Sequence, residues 1–370
     1  MRQVGCRVIL LNPAPYHERL SRRDGFPSCG VAKVGHRAFK RALHSKKFAP
    51  IALPPSGENV ASGPRGLAQM LLGLKDPQAC ACPACSSRGN QVIARFSDRS
   101  FFRCGHCGLD YQQLFGEQTI SYNEAYFFEE YQKQYGKTYL DDFDHIKAMG
   151  KSRLNAMAEL GHLLPGERLL DIGCAYGPFL AAAKERGVAV MGSDISPEAV
   201  AWVNNNLGIP ARTGDIRQLD SLDFGGTFNI VTLWYVIEHF PDLGKILEKL
   251  NDLLVLGGML ALATPSGSGV SGRFRALKFL AASPRDHYSI WRPAQAARLL
   301  ELFGFRLNRI VITGHHPERF PGLLGIRLFR PLMGLISRKF GLGDTFELYA
   351  TKIRDFQKIS VLTEEISASK

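Results

Sequence analysis

The feature that most limits the fold is an alternation of short apolar runs and amphipathic stretches that begins at Glu167. Arg168 to Ile172 reads as a strand, Pro178 to Arg186 as a helix stopped by Gly187, and Val188 to Gly192 as a second strand. Ser196-Pro197-Glu198 then opens a helix, with a serine cap and a proline at the first helical position. Ala211 to Gly214, Phe228 to Leu233 and Met259 to Thr264 read as strands; Leu243 to Leu256 and Pro293 to Phe303 read as helices. Parallel neighbours need such helical crossovers, so residues 166–355 are expected to form a doubly wound, Rossmann-like α/β sheet. The last two apolar runs, Leu307 to Thr313 and Thr345 to Lys352, are joined without a clear crossover helix, which predicts an antiparallel last strand.

The chemistry sits where these strands end. The first runs into Asp171-Ile172-Gly173-Cys174-Ala175-Tyr176-Gly177. Glycines at 173 and 177 let backbone approach a ligand, and the next helix turns its N-terminus toward it. The dinucleotide pattern G-x-G-x-x-G is absent, which disfavours NAD. Asp171 at this point suits a ligand with a cationic amino-acid end better than a pyrophosphate. The second strand ends at Asp194, placed to accept ribose hydroxyls. The third ends at Asp215, where an adenine amino group can donate. The fourth runs into Trp234-Tyr235-Val236-Ile237-Glu238-His239.

With these four motifs in order, residues 167–264 resemble the class I S-adenosylmethionine-dependent methyltransferases, especially the branch with Glu-His after strand four that includes quinone-biosynthesis O-methyltransferases. The resemblance implies a cofactor site of Asp171, Gly173, Cys174, Gly177, Asp194, Ile195, Asp215, Ile216 and Trp234. It implies S-adenosyl-L-methionine as cofactor and methyl transfer, most simply to an oxygen of a small-molecule, sugar or carrier-linked acceptor. An in-line displacement from a sulfonium needs alignment and dryness, and a hydroxyl acceptor needs a base. His239 is the first candidate for base or acceptor orienter, with Glu238 as its polar partner. His287, on a loop after the fifth strand, is the second. RNA methylation and a non-catalytic S-adenosylmethionine-binding module are the alternatives. The Asn/Asp-Pro-Pro-Tyr/Phe signature of amino-directed methyltransferases is absent after strand four, and nucleic acid is disfavoured as acceptor.

Upstream, Cys82-Pro-Ala-Cys85 and Cys104-Gly-His-Cys107 stand 18 residues apart. Two such pairs on tight loops complete a tetrahedral four-thiolate site, the pattern of a structural zinc ribbon. Residues 80–112 are assigned to that ribbon and 113–165 to a helical linker or cap. A ribbon, a Tyr/Phe-rich link and this core together resemble bacterial methyltransferases of cell-surface polysaccharide or secondary-metabolite sugars. This implies a glycan- or lipid-linked acceptor as well as a free one.

Charge adds less than its total implies. The net of +12 divides into +9 for residues 1–79, with 13 Lys/Arg and 4 Asp/Glu, and +3 for the rest. The Pro/Gly-rich leader reads as mostly disordered. An organellar transit peptide, a nucleic-acid tail and a misassigned start are other readings of it. No run of about 18 apolar residues exists, and paired cysteines favour a reducing compartment, so a cytoplasmic protein is expected. Pro321 to Phe340 is an apolar insertion carrying Arg327, Arg330, Arg338 and Lys339. It reads as an amphipathic lid, or as a peripheral contact with an anionic membrane. Residues 356–370 are assigned to a tail.

Overall fold

The structure is a computed structural model that describes residues 8–10, 80–115, 131–132 and 136–356. The remainder of the leader, residues 116–130 and 133–135 in the aromatic-rich stretch, and the tail beyond 356 lie outside the described residues.

The strands in chain order are β1 (Val8–Leu10), β2 (Gln91–Arg95), β3 (Arg99–Arg103), β4 (Asp110–Leu114), β5 (Arg168–Ile172), β6 (Ala189–Asp194), β7 (Ala211–Thr213), β8 (Phe228–Trp234), β9 (Leu254–Pro265), β10 (Ser289–Ile290), β11 (Phe305–Thr313) and β12 (Thr345–Lys352). The helices are α1 (Phe143–Glu159), α2 (Pro178–Lys184), α3 (Pro197–Trp202), α4 (Leu243–Leu253), α5 (Val270–Phe274), α6 (Ala276–Ala281), α7 (Pro293–Leu302) and α8 (Arg330–Phe340).

Eight strands form one sheet in the order β1-β11-β12-β9-β8-β5-β6-β7. The run β9-β8-β5-β6-β7 is parallel, and β12 is antiparallel to both neighbours. The expected Rossmann-like sheet with its antiparallel last strand is therefore present. β12 inserts between β9 and β11, so β11 runs in the same direction as the parallel strands. Both the segment after β9 and the insertion after β11 consequently leave from the carboxyl edge, where α/β sheets bind ligands. Strand order reverses between β5 and β8, and the site lies at that crevice. Val8–Leu10 pair antiparallel with β11 at the sheet's edge. Within the leader these three residues are ordered by pairing: a short apolar run satisfies its backbone by joining an open edge.

Local signals explain the elements. Ser196 caps α3, its hydroxyl accepting from Ala199 N at 3.2 Å, with Pro197 next. In α4 the buried residues Leu243, Ile246, Leu247 and Leu250 fall at helical spacing and pack on the sheet. Each such burial contributes about 1.5–3 kcal/mol.

The second sheet, β10-β4-β3-β2, is antiparallel and belongs mostly to the cysteine segment. Its fourth strand, β10, comes from the α/β part of the chain. Cys82, Cys104, Cys107, Phe102 and Leu109 share one buried cluster with Leu243, Leu247, Trp291 and Leu299. The cysteine segment and the α/β part of the chain are therefore one packed body. Among the described residues, no helix is long and apolar enough to cross a membrane.

Candidate active site

The loop after β5 is shaped by its glycines. Gly173 has φ +71°, and a Cβ there would lie 2.4 Å from Val236 Cγ2. Gly177 has φ +74° and opens α2. Between them Ala175 is held at φ +47°. Asp194 secures this turn: one carboxylate oxygen accepts from Ala175 N at 2.8 Å, the other from Ser196 N at 2.9 Å. The acid that the sequence places at a ribose thus also ties the loop after β5 to the start of α3. Cys174 is buried beneath the loop, whereas Ile195 is exposed.

Asp171 is 2% exposed and accepts from Thr232 Oγ1 at 2.6 Å. Burial pushes its carboxyl up to about 7; the Thr232 hydrogen bond and the Arg153 charge oppose this, and Asp194 adds to it. Asp215 stands on the more exposed side, bonded by Arg217 N at 2.9 Å and Arg217 Nε at 2.8 Å. Ile216 beside it is buried.

Trp234 ends β8 between the Arg153 guanidinium, 4.1 Å from its ring centroid, and the Phe179 ring, edge-on at 5.1 Å. Arg153 reaches this place from α1 and pairs with Glu347 of β12 at 2.8 Å. The next residue, Tyr235, has φ +62°, an uncommon conformation for a bulky side chain. It swings the chain out of the sheet and into Glu238-His239. Tyr139 lies ahead of α1; burial, and then the nearby charges of Asp171 and Asp194, push its hydroxyl up. Arg153 and Tyr139 carry no motif in the sequence. Their elements are linked to the site only by packing.

Glu238 is 1% exposed, and burial pushes its carboxyl up to about 6 against the pull of His239. His239 Nδ1 stands 3.1 Å from Asp286 Oδ2. Burial works to lower His239, but the Asp286 hydrogen bond and the Glu238 charge outweigh it and hold the imidazole above its usual range. His287 meets His239 edge-on, with ring centroids 4.7 Å apart. Burial and then the charge of His239 push His287 down to about 3. A ring nitrogen of each histidine and a Glu238 oxygen lie within 4.8 Å of one another. The three candidates for base and partner are therefore together. The ion-pair partner of His239 is Asp286, which the sequence pattern alone does not single out beside its neighbour His287. An acid directly before a candidate histidine, on a carboxyl-edge loop, was the available signal.

The cysteine pairs also converge. Cys82 and Cys107 Sγ are 3.7 Å apart, Cys85 and Cys104 Sγ 3.5 Å, and all four lie within 4.8 Å. Thiolates at about 2.3 Å around a tetrahedral zinc ion would stand about 3.8 Å apart, so these four fit such an ion. The hydrogen bond from Cys107 holds the Cys85 thiol well below its usual range.

Residues 145–309 match the family model of a methyltransferase domain. The chain carries an S-adenosylmethionine-dependent methyltransferase domain. It is similar to the ubiquinone biosynthesis O-methyltransferase of Thiobacillus denitrificans, 25% identical over 164 residues that cover 42% of this chain and 71% of that protein. The enzyme of the same name from Acinetobacter baumannii is 26% identical over 187 residues, covering 47% and 78%. Among solved structures, the magnesium protoporphyrin IX methyltransferase of Synechocystis with bound S-adenosylhomocysteine is 18% identical, with a TM-score of 0.43, covering 62% of this chain and 95% of that one. A methyltransferase from Archaeoglobus fulgidus is 16% identical, with a TM-score of 0.43, covering 61% and 100%.

Proposed function

We propose that this methyltransferase methylates an oxygen of a small-molecule, sugar or carrier-linked acceptor, with His239 as the general base. The observation that carries this reading is the 3.1 Å contact between His239 and Asp286, at the carboxyl edge and next to the end of β8. S-adenosylmethionine supplies an electrophilic methyl group. The chain's part is to hold that cofactor through Asp171, Gly173, Cys174, Gly177, Asp194, Ile195, Asp215, Ile216 and Trp234. His239 then takes the acceptor's hydroxyl proton, and Asp286 stabilises the imidazolium that forms. Glu238, buried and adjacent, adds negative potential when ionised. Cys82, Cys85, Cys104 and Cys107 bind a structural zinc ion, since a closed four-cysteine set has no open position for a reactant.

Mass spectrometry of extracts from cells with and without the gene, with a His239→Gln arm, tests the activity. The expected result is a product heavier by one methylene equivalent that vanishes in both the deletion and the variant. Full product with His239→Gln would remove the base assignment.

A peripheral membrane contact is part of the reading. In 321–340, Leu323, Leu328, Leu335 and Phe340 are 74%, 78%, 63% and 64% exposed. They lie in a segment whose only charged residues are Arg327, Arg330, Arg338 and Lys339. The opposite side is anchored by Met333, packed with Val270, Phe320 and Leu342. Apolar tips amid cations suit an anionic bilayer and a lipid-linked acceptor. Co-sedimentation with anionic vesicles is expected to fall on changing Leu323 and Leu328 to Ser. Equal pelleting would end this part of the proposal.

A further inference from the structure

The ribbon's most specific contacts with the α/β domain surround one loop. Gln112 of β4 donates its side-chain amide to Pro284 O at 3.1 Å and Arg285 O at 2.8 Å. Its backbone N–H donates to Tyr288 O at 3.0 Å. Arg99 of β3 donates to Ser283 O at 2.8 Å and Ala281 O at 3.0 Å. Five carbonyls between 281 and 288 are thus taken by two ribbon residues, on both sides of Asp286. Gln112 and Arg99 are 5% and 7% exposed. Immediately afterwards the chain becomes β10 and adds itself to β4, with Ser289 opposite Tyr111 and Ile290 opposite Asp110.

The pair is built to hold this pose. Arg99 Nη1 donates to Gln112 Oε1 at 3.1 Å. That bond orients the amide so that its NH2 faces the loop carbonyls. The register of β3 with β4, Phe101 opposite Gln112, brings Arg99 diagonally beside Gln112. Cys104 and Cys107 lie in the turn that joins these two strands and sets their register. The other cysteine loop touches the helix that follows His239: Gly244 N donates to Pro83 O at 2.9 Å, five residues beyond His239. A Cβ at 244 would lie 2.3 Å from Ala84 O, so the approach is as close as backbones allow. One cysteine-bearing unit therefore holds both the start of the helix after His239 and the loop bearing Asp286.

We propose that Gln112 and Arg99 are positioning residues for the methyl-transfer site: the ribbon fixes the backbone of 281–288 so that Asp286 meets His239. The proposal rests on the reading of His239 as the base for its catalytic meaning, but the coupling itself is physical. Orientation of a base by a buried carboxylate is lost with a displacement of about 1 Å, and a loop without its carbonyl partners has no reason to keep that position. The four-cysteine site then serves catalysis at a distance, by holding β3 and β4 in register. The groups that face His239 are Asp286, Glu238 and His287, and only Asp286 and His287 ride on the gripped loop.

The test follows the His239 imidazole by pH titration in NMR of the full chain with labelled histidine, assigned with His239→Gln. Asp286→Asn sets the scale of a lost dyad, with a midpoint below that of the wild type. Gln112→Met keeps size and removes the donors; its midpoint is expected to fall by at least half as much. Arg99→Met, and chelation of zinc from the loaded wild type, are expected to move it the same way. Calorimetric binding of S-adenosylhomocysteine reports a folded cofactor site and is expected to stay within twofold. A wild-type midpoint in both Gln112→Met and Arg99→Met, with Asp286→Asn shifted, overturns the proposal. So does an unshifted Asp286→Asn. Should Gln112→Met abolish cofactor binding, the Arg99→Met and chelation arms decide. Retained methyl transfer in His239→Gln overturns only the base assignment and leaves the titration result standing.

Discussion

Asp171→Asn should remove a proton that is otherwise released when the cofactor site fills. Asp171 is buried, and its carboxyl is pushed up to about 7 by that burial. At pH 7 about half of the carboxyls are ionised, and at pH 5.5 about 3%. A ligand whose ammonium group is accepted only by the ionised form will then bind about 15-fold more weakly at pH 5.5 than at pH 7, or about 1.6 kcal/mol. At pH 7 binding should release about half a proton as the remaining acids ionise. Titration calorimetry with S-adenosylhomocysteine, repeated in buffers of different ionisation enthalpy, reads the proton directly. Asp171→Asn is isosteric and has nothing to release, so the buffer dependence should vanish. Asp194 is also raised by burial, and Asp194→Asn separates its share. Stability gives the complementary sign. A carboxyl raised from 3.8 to about 7 in the folded state lends stability below about pH 4 that is lost as pH rises through 7. Asp171→Asn is expected to melt higher than wild type above pH 7, by at most about 4 kcal/mol. No proton release by the wild type at pH 7, or equal release by Asp171→Asn, would refute the assignment of this acid to the ligand's ammonium end.

Other perturbations follow from the same geometry. Gly244→Ala places a Cβ 2.3 Å from Ala84 O; denaturant melts should show a loss of about 1–3 kcal/mol, because backbone on both sides must move. Arg153→Met takes the almost wholly buried cation from Glu347, 2.8 Å away, and leaves it the Tyr349 hydroxyl; a loss of about 3 kcal/mol is expected in the same assay. Gly173→Ala meets both a positive φ and Val236 Cγ2 at 2.4 Å; calorimetry should show S-adenosylhomocysteine affinity reduced about tenfold or more, from roughly 1–2 kcal/mol of strain plus the displaced loop. Cys104→Ser breaks the four-thiolate set, and metal analysis of the purified chain should find zinc well below one equivalent.

Much of the fold was legible because it is written in local periods. Strands β5, β6, β8 and β12 and helices α2, α4 and α7 each carry their own apolar pattern and their own stop signal. The glycines and acids at strand ends were legible for a related reason: crevice chemistry is confined to one edge of such a sheet, and that edge recurs at each strand's end. The insertion of β12 between β9 and β11 was not specified by any local pattern. Nor was the pairing of Val8–Leu10 with β11, which spans 300 residues. Both are choices among sheet edges, decided by which backbone groups remain to be satisfied. Arg153 shows the same limit at the site. It looks like an ordinary surface residue of an amphipathic helix, but it is 5% exposed between Trp234 and Glu347.

By itself the sequence determined the kind of molecule: a doubly wound sheet, a glycine-bearing loop without a pyrophosphate pattern, acids in order along its edge, and two cysteine pairs that converge. Those properties depend on neighbours in the chain or on a repeating unit, and spacing carries them. Tertiary structure alone decided that the cysteine unit and the loop bearing Asp286 are bonded to one another. The contacts that do this, Gln112 to Arg285 and Arg99 to Ser283, join residues more than 170 positions apart. They exist because β10 leaves the α/β domain to complete another sheet. The meeting of Asp286 with His239 is likewise tertiary, since nothing in the spacing of 47 residues between them brings a carboxylate to an imidazole.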